Sequence, residues 1–184
     1  NGQTTAFLHR YSTAGALIST TQLPSSYGYY RIGFDGTHLV NIDLNLDNGE
    51  RCAQKYDLGG NKVGACIDIP ADPARSPGDR FGGGGFSIGK TTYADLVSVG
   101  STPLFSVVRA TDLSLVGHAN LRSRGNNQTT VSIASNGADY VAVWRDDRHS
   151  AMALEMGGGD AIYAARIAAD GSIGSPVRLS EHAV

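Results

Sequence analysis

Short apolar runs separated by tight-turn residues recur along the whole chain. The runs HLVNI, YADLVSV and YVAVW are apolar nearly throughout, which is typical of strands covered on both faces. Asp-Gly at 35–36 and Asn-Gly at 136–137 stand between such runs, and both central residues of a type I′ hairpin turn have positive φ. An amphipathic helical period of comparable length is absent. The pattern therefore predicts an all-β chain of antiparallel hairpins.

A basic residue ahead of a turn marks a fourfold repeat. It follows a short apolar or alternating run and recurs at intervals of 45 to 57 residues, as Arg10, Lys55, Arg109 and Arg166. A second hairpin lies upstream in the later units, with Gly36 aligned on Gly137. Each complete unit is thus predicted to hold four antiparallel strands. Four-stranded units at this spacing are typical of β-propeller blades.

The repeat predicts the domain organisation. We expect a single repeat domain over 1–184, a β-propeller-like array of about three and a half blades. It consists of a half-blade at 6–24 and blades at 27–70, 81–123 and 128–182. A β-sandwich is the alternative, but a sandwich does not predict the fourfold register. Three and a half blades do not close a ring of the usual size, so we expect the remaining part of a larger propeller, or another copy of the chain, to lie beside it.

The last unit carries a recognisable motif. YVAVWRDDR is followed by DAIYAARIAADGSI, and the two segments resemble a repeat of secreted and surface proteins of bacteria. That repeat runs Tyr-x-Val-x-Trp-x-Asp-x-Arg, then Asp-Ile-Tyr-x-x-Arg, then Asp-Gly. The matching residues are Trp144, Asp146, Arg148, Asp160, Tyr163, Arg166, Asp170 and Gly171. The resemblance implies a propeller and a secreted or cell-surface location, and it names no reaction.

The two cysteines also indicate a location. Cys52 and Cys66 lie symmetrically about Gly59, at a predicted hairpin turn. On adjacent antiparallel strands they would face each other at a bridgeable distance, so we predict a disulfide; two buried free thiols are the alternative. A disulfide implies an oxidising, extracytoplasmic compartment.

The composition and charge argue against nucleic acid as a partner and against a membrane span. The 184 residues include 24 Gly, only 17% are charged, and the formal net charge is -2. Abundant glycine without a Gly-X-Y period suits a chain with many tight turns. A net charge of -2 provides no excess of basic residues for binding nucleic acid. No apolar run reaches the length of about 18 residues that predicts a membrane span.

Ligand-binding residues are expected on the longer loops. In a propeller the short hairpin turns lie on one face, and the longer loops, here 43–51, 70–85, 121–129 and 144–160, lie on the other. Charged and imidazole side chains in two of these loops are the candidates for a carbohydrate or protein ligand: Asp147, Arg148, His149, Arg75 and Arg80.

One loop has the alternation of a calcium site. Asp43, Asn45 and Asp47 alternate as oxygen ligands do in a calcium loop. The Gly comes one place late for the EF-hand spacing, and Gln54 occupies the twelfth position. A solvated Asn-Gly turn is therefore favoured, calcium is the alternative, and no other cofactor is predicted.

Three residues of the last unit are expected to be structural. Asp146 is predicted to pair with Arg166 on the neighbouring strand, and Trp144 is predicted to pack between blades.

The distribution of carboxylates favours a non-enzymatic function. Glycoside hydrolysis on a propeller requires two converging carboxylates, and the strands predicted to be innermost, YGYYRIGF, GGGGFSIG and TTVSIA, carry no Asp or Glu. We therefore predict a non-enzymatic extracellular binding or structural module. Part of a propeller glycoside hydrolase, or of another secreted hydrolase, is the alternative.

Overall fold

The computed structural model describes residues 7–22, 31–44, 51–70, 81–99, 102–121, 128–146 and 161–180. These residues form fourteen strands and contain no helix. Every strand pair is antiparallel. The prediction of an all-β chain of antiparallel hairpins is confirmed. In this part of the chain, no helix is long and apolar enough to cross a membrane.

The strands form four sheets, in each of which sequence neighbours pair. Sheet I holds β1 (Phe7–Tyr11) and β2 (Leu17–Gln22). Sheet II holds β3 (Ile32–Phe34), β4 (Leu39–Leu44), β5 (Arg51–Tyr56) and β6 (Lys62–Ile69). Sheet III holds β7 (Phe81–Ile88), β8 (Thr92–Val99), β9 (Thr102–Arg109) and β10 (Leu115–Asn120). Sheet IV holds β11 (Gln128–Ser135), β12 (Tyr140–Asp146), β13 (Ala161–Ile167) and β14 (Val177–Arg178).

The turn between the third and fourth strands has the same form in sheets II and IV, and the turn between β1 and β2 of sheet I has this form too. The first turn residue donates its backbone N–H to the carbonyl four residues on, at 2.8 or 2.9 Å, in the pairs Ser12–Ala16, Asp57–Asn61 and Ala168–Ser172. A glycine with φ between 81° and 84° precedes the last residue: Gly15, Gly60 and Gly171. Because β1 and β2 flank such a turn, they correspond to the third and fourth strands of the larger sheets.

The turn between the first and second strands also repeats. The side-chain Oδ1 of Asp35 accepts the backbone N–H groups of the residues two and three positions on, and Asn136 does the same. Gly36 and Gly137 have φ of 96° and 95°, while Asp35 and Asn136 do not have positive φ. The predicted type I′ turn is therefore wrong. A glycine with positive φ at the first central position is the arrangement of type II′.

The register shows that one of the four basic residues is offset. Val141 lies opposite Arg166, and the corresponding Ala94 lies opposite Val107. Arg109 thus lies two positions beyond the residue that corresponds to Arg166. Its turn is one residue longer, closed by the Arg109 N–H on the Ser114 carbonyl at 2.8 Å. All four basic residues lie in third strands, but the expected equivalence fails for Arg109.

The chain divides into two compact units, 1–71 and 72–184. Unit 1 contains sheets I and II, and its fully buried apolar side chains include Val40, Ile42 and Ala53. β4 supplies Val40 and Ile42, as expected for the apolar run HLVNI, and β5 supplies Ala53.

Unit 2 contains sheets III and IV, which pack face to face. Sheet III contributes residues of β8 and β9 to one core, and sheet IV contributes residues of β12 and β13. Trp144 is fully buried in this core, and its ring stacks on Tyr163 with centroids 6.2 Å apart. Packing of Trp144 between two sheets matches its predicted role. The first strands, β7 and β11, lie side by side, with Gly85 against the backbone of Ile133.

Candidate functional site

The cysteines lie on the outer hairpin of sheet II. Cys52 of β5 and Cys66 of β6 are joined in a disulfide, with Cα atoms 5.8 Å apart. The register pairs Cys52 with Asp68, and it shifts between Ala53 and Lys55. The bridge therefore runs diagonally across the two strands. The sequence predicted that the two cysteines would lie directly opposite each other, but the register shift offsets them.

The predicted Asp146–Arg166 pair is wrong. Arg166 Nε and Nη2 both donate to Asp139 Oδ2, at 3.0 and 2.5 Å. Arg166 lies opposite Val141, whereas Asp146 lies opposite Ala161, five positions along the strand. At about 3.4 Å per residue that offset exceeds the reach of an arginine side chain. The ion pair belongs to the short-turn end of the sheet.

Asp146 is instead part of the buried end of β12. Its carboxylate is fully buried, and Oδ2 accepts a hydrogen bond from Trp144 Nε1 at 3.4 Å. This bond satisfies the indole N–H, which must find a partner when a tryptophan is buried. The carboxylate thus supports the core directly before the predicted ligand loop.

Most of the ligand residues predicted from the sequence lie outside the described residues: Arg75, Arg80, Asn45, Asp47, Asp147, Arg148 and His149. Asp43 lies in β4, opposite Cys52. Among the described side chains, no group of three or more His, Cys, Asp or Glu is placed to hold a metal ion. The calcium site stays a prediction.

Three described carboxylates are held by their own turns. A side-chain hydrogen bond from Asn61 lowers the pKa of Asp57, and hydrogen bonds from Ser114 and Ser172 lower the pKa of Asp112 and Asp170. Each carboxylate also accepts backbone N–H groups of its turn. These groups are therefore ionised at neutral pH and orient the turns.

A cleft with charged residues in its lining lies at the short turns of unit 2. Its volume is about 470 Å³, within the usual range for small-ligand sites. Residues of three turns line it: Lys90, Thr91, Thr92, Arg109, Ala110, Thr111, Val116, Ala169 and Asp170. A backbone hydrogen bond from Ala110 N to Thr91 O, at 2.9 Å, joins two of these turns to each other. A second, from Lys90 N to Gly137 O at 2.7 Å, joins one of them to sheet IV. These bonds tie the turns that line the cleft to one another.

The cleft offers both donors and acceptors. Lys90 and Arg109 supply cationic donors, and Asp170 supplies an ionised acceptor, since Ser172 holds its pKa low. Arg109 is oriented by Ser114, whose Oγ accepts from Nη1 at 2.8 Å. The sequence prediction missed this cleft because it placed ligand binding on the long loops. Only the packing of sheets III and IV brings these turns together.

A second, mainly apolar cleft lies in unit 1 between sheets I and II. Its volume is about 250 Å³, and it is lined by Leu8, His9, Arg10, Tyr11, Phe34, Leu39 and Leu58. Tyr11 and Phe34 remain 59% and 52% exposed, although aromatic side chains usually contribute large buried areas. Apolar surface exposed in a cleft is typical of an interaction site.

Comparison with protein-family models and with curated proteins finds no match for this chain.

Proposed function

We propose that this chain is a non-enzymatic extracellular binding module of the β-propeller type that binds a carbohydrate. The cleft of unit 2 carries the proposal. A saccharide hydroxyl both donates and accepts hydrogen bonds, and the lining of the cleft includes Lys90, Arg109 and Asp170. The hydrogen bond from Arg109 Nη1 to Ser114 Oγ orients one of these groups in advance, which limits the entropy lost on binding.

The stacking of sheets III and IV supports the propeller architecture. The hydrogen bond from Lys90 N to Gly137 O joins the equivalent first turns of the two sheets. The backbones of Gly117 and Gly171 also approach closely near the outer turns. Equivalent parts of two successive sheets thus lie side by side, as in neighbouring blades.

The Cys52–Cys66 disulfide supports an extracytoplasmic location, because disulfides persist in oxidising compartments.

The experiment is glycan-array binding of the full chain, followed by calorimetry with the best ligand. Lys90→Ala should weaken binding by roughly tenfold or more if the ammonium group makes a charge-assisted hydrogen bond to the ligand. Lys62→Ala, an exposed lysine of β6 outside the cleft, is the matched control and should leave affinity unchanged. Equal affinity of both variants would contradict the proposed site.

Two further arms test the residues predicted on the long loops. Loss of binding in Arg148→Ala, with Lys90→Ala unaffected, would move the site to the long-loop face. Loss of binding on adding a chelator would support the calcium ligands Asp43, Asn45 and Asp47. Hydrolysis of a chromogenic glycoside panel would overturn the non-enzymatic function and establish the hydrolase alternative.

A further inference from the structure

We propose that the cleft of unit 1 receives a β-hairpin of a partner protein, which pairs with β1 and completes sheet I to four strands. The partner is a protein segment of defined chemistry, and the site is separate from the carbohydrate cleft of unit 2.

The comparison of the two sheet pairs carries the inference. In unit 2, sheet III covers sheet IV with four strands, of which β7 and β8 are the first two. In unit 1, sheet I consists of β1 and β2 alone among the described residues, and it meets sheet II at the cleft and where Gly60 lies against Thr21. Since β1 and β2 correspond to third and fourth strands, the counterparts of β7 and β8 are the pair to be supplied.

Exposure differs at the positions that this pair would cover. Ile32 lies opposite Asn41, and the corresponding Ile133 lies opposite Ala142. Ile133, beside β7, is only 7% exposed, whereas Ile32 is 38% exposed. Tyr140 is likewise buried, while the corresponding Leu39 lines the open cleft. The apolar surface is therefore open where the first two strands would pack.

The free edge of β1 provides the backbone partner. Within the described residues, β1 pairs with β2 alone, whereas each corresponding strand β5, β9 and β13 is paired on both sides. An open edge presents unpaired N–H and C=O groups, and adding a strand to such an edge is a recurrent mode of protein recognition. The cleft beside this edge then accepts the side chains of the added strand.

The chain's own β7–β8 hairpin defines the chemistry of the occupant. Gly85 lies so close to sheet IV that an alanine Cβ there would be 2.9 Å from the Ile133 nitrogen. The first strand of the occupant therefore needs glycine where it crosses Ile32. The second strand needs small or branched apolar residues, as Ala94 and Leu96 are fully buried in β8.

The test uses the full chain and a synthetic peptide of residues 81–99 as the probe. Binding is followed by fluorescence anisotropy of the labelled peptide and by amide hydrogen exchange in β1. At a peptide concentration about 100 times its Kd, exchange of the β1 amides should slow by roughly 100-fold. The same peptide with Gly85→Val is the control and should not bind, because its added side chain would clash with β3.

Two protein variants complete the test. Ile32→Asp places a charge under the docked hairpin and should abolish binding. Val63→Asp makes the same kind of change in β6 at matched exposure, 37% against 38%, and should bind normally. Circular dichroism of both variants verifies that the sheets are retained.

Other outcomes overturn the proposal. Absence of peptide binding to the folded wild type, or equal binding of both peptides, would do so. Self-association of the chain with β1 amides already protected would show that a second copy occupies the edge. Glycan binding and the Lys90→Ala variant test the cleft of unit 2, whereas peptide binding tests the cleft of unit 1. Either proposal can therefore fail without affecting the test of the other.

Discussion

The hydroxyl of Tyr140 in sheet IV donates a hydrogen bond to the backbone carbonyl of Thr92 in sheet III, at 2.6 Å. The same hydroxyl lies 2.8 Å from Thr92 Oγ1. Burial raises the pKa of Tyr140, while the hydrogen bond from Thr92 acts in the opposite direction. An alanine Cβ at position 89 would lie 2.6 Å from this hydroxyl, so Gly89 makes the room for it. One side chain thus joins the two sheets of unit 2.

Replacing Tyr140 with Phe should lower the free energy of unfolding by about 0.5–1.5 kcal/mol, because the Thr92 carbonyl loses one of two donors and keeps the Gly89 N–H at 2.9 Å. Urea denaturation followed by circular dichroism measures the change. Tyr11→Phe is the matched control, since Tyr11 is well exposed in sheet I, and it should change stability little. Equal effects of the two substitutions would contradict a structural role for the hydroxyl bond.

Two glycines that both have positive φ should differ in their tolerance of alanine. Gly137 has φ of 95° and open space around it, so Gly137→Ala should cost about 1–2 kcal/mol from backbone strain alone. Gly171 has φ of 82°, and an alanine Cβ there would lie 2.5 Å from Gly117 Cα. Gly171→Ala should therefore destabilise unit 2 clearly more. Equal thermal denaturation midpoints would show that the two backbones move apart freely.

Removing the disulfide should destabilise the outer hairpin of sheet II. Cys52 and Cys66 are separated by 14 residues in sequence. Closing a loop of that length stabilises a protein by about 3 kcal/mol in the chain-entropy model. The double substitution Cys52→Ala with Cys66→Ala should lower the denaturant midpoint, and reductant should then have no further effect. Alkylation of two thiols in the non-reduced wild type, measured by mass spectrometry, would refute the bridge.

Three turn carboxylates should contribute to acid sensitivity. Hydrogen bonds lower the pKa of Asp57, Asp112 and Asp170 below the ordinary 3.8 in the folded state. A lowered folded pKa means stability that is present above the unfolded pKa and is lost as pH falls through the folded pKa. Replacing all three with Asn should flatten the loss of stability below about pH 4. Asp68→Asn, an exposed residue of β6, should leave that slope closer to wild type.

A double-mutant cycle should separate the observed ion pair from the predicted one. Asp139→Asn and Arg166→Gln should couple by about 0.2–1 kcal/mol, the range of exposed pairs. Asp146→Asn and Arg166→Gln should be additive within about 0.3–0.5 kcal/mol, because the register holds them apart. Strong coupling of Asp146 with Arg166 would show that the register differs in solution.

The local features of this fold were predictable because each depends on residues close in sequence. Asp35-Gly36 and Asn136-Gly137 marked hairpin turns, since an Asx side chain binds the backbone two and three residues on and glycine tolerates positive φ. The apolar runs marked the central strands. The two cysteines flanked one turn, so their bridge followed from the hairpin.

Register and packing were decided by the tertiary structure. The sequence anchor on basic residues misplaced Arg109 by two positions, because in sheet III the basic residue closes the turn, as Ala168 does in sheet IV, and Val107 occupies the position of Arg166. The partner of Arg166 proved to be Asp139, and the cleft of unit 2 joins turns that are distant in sequence. The sequence by itself determined which segments become strands and turns, through short-range propensities. Which strands and turns meet depends on long-range packing, and only the assembled sheets determine that.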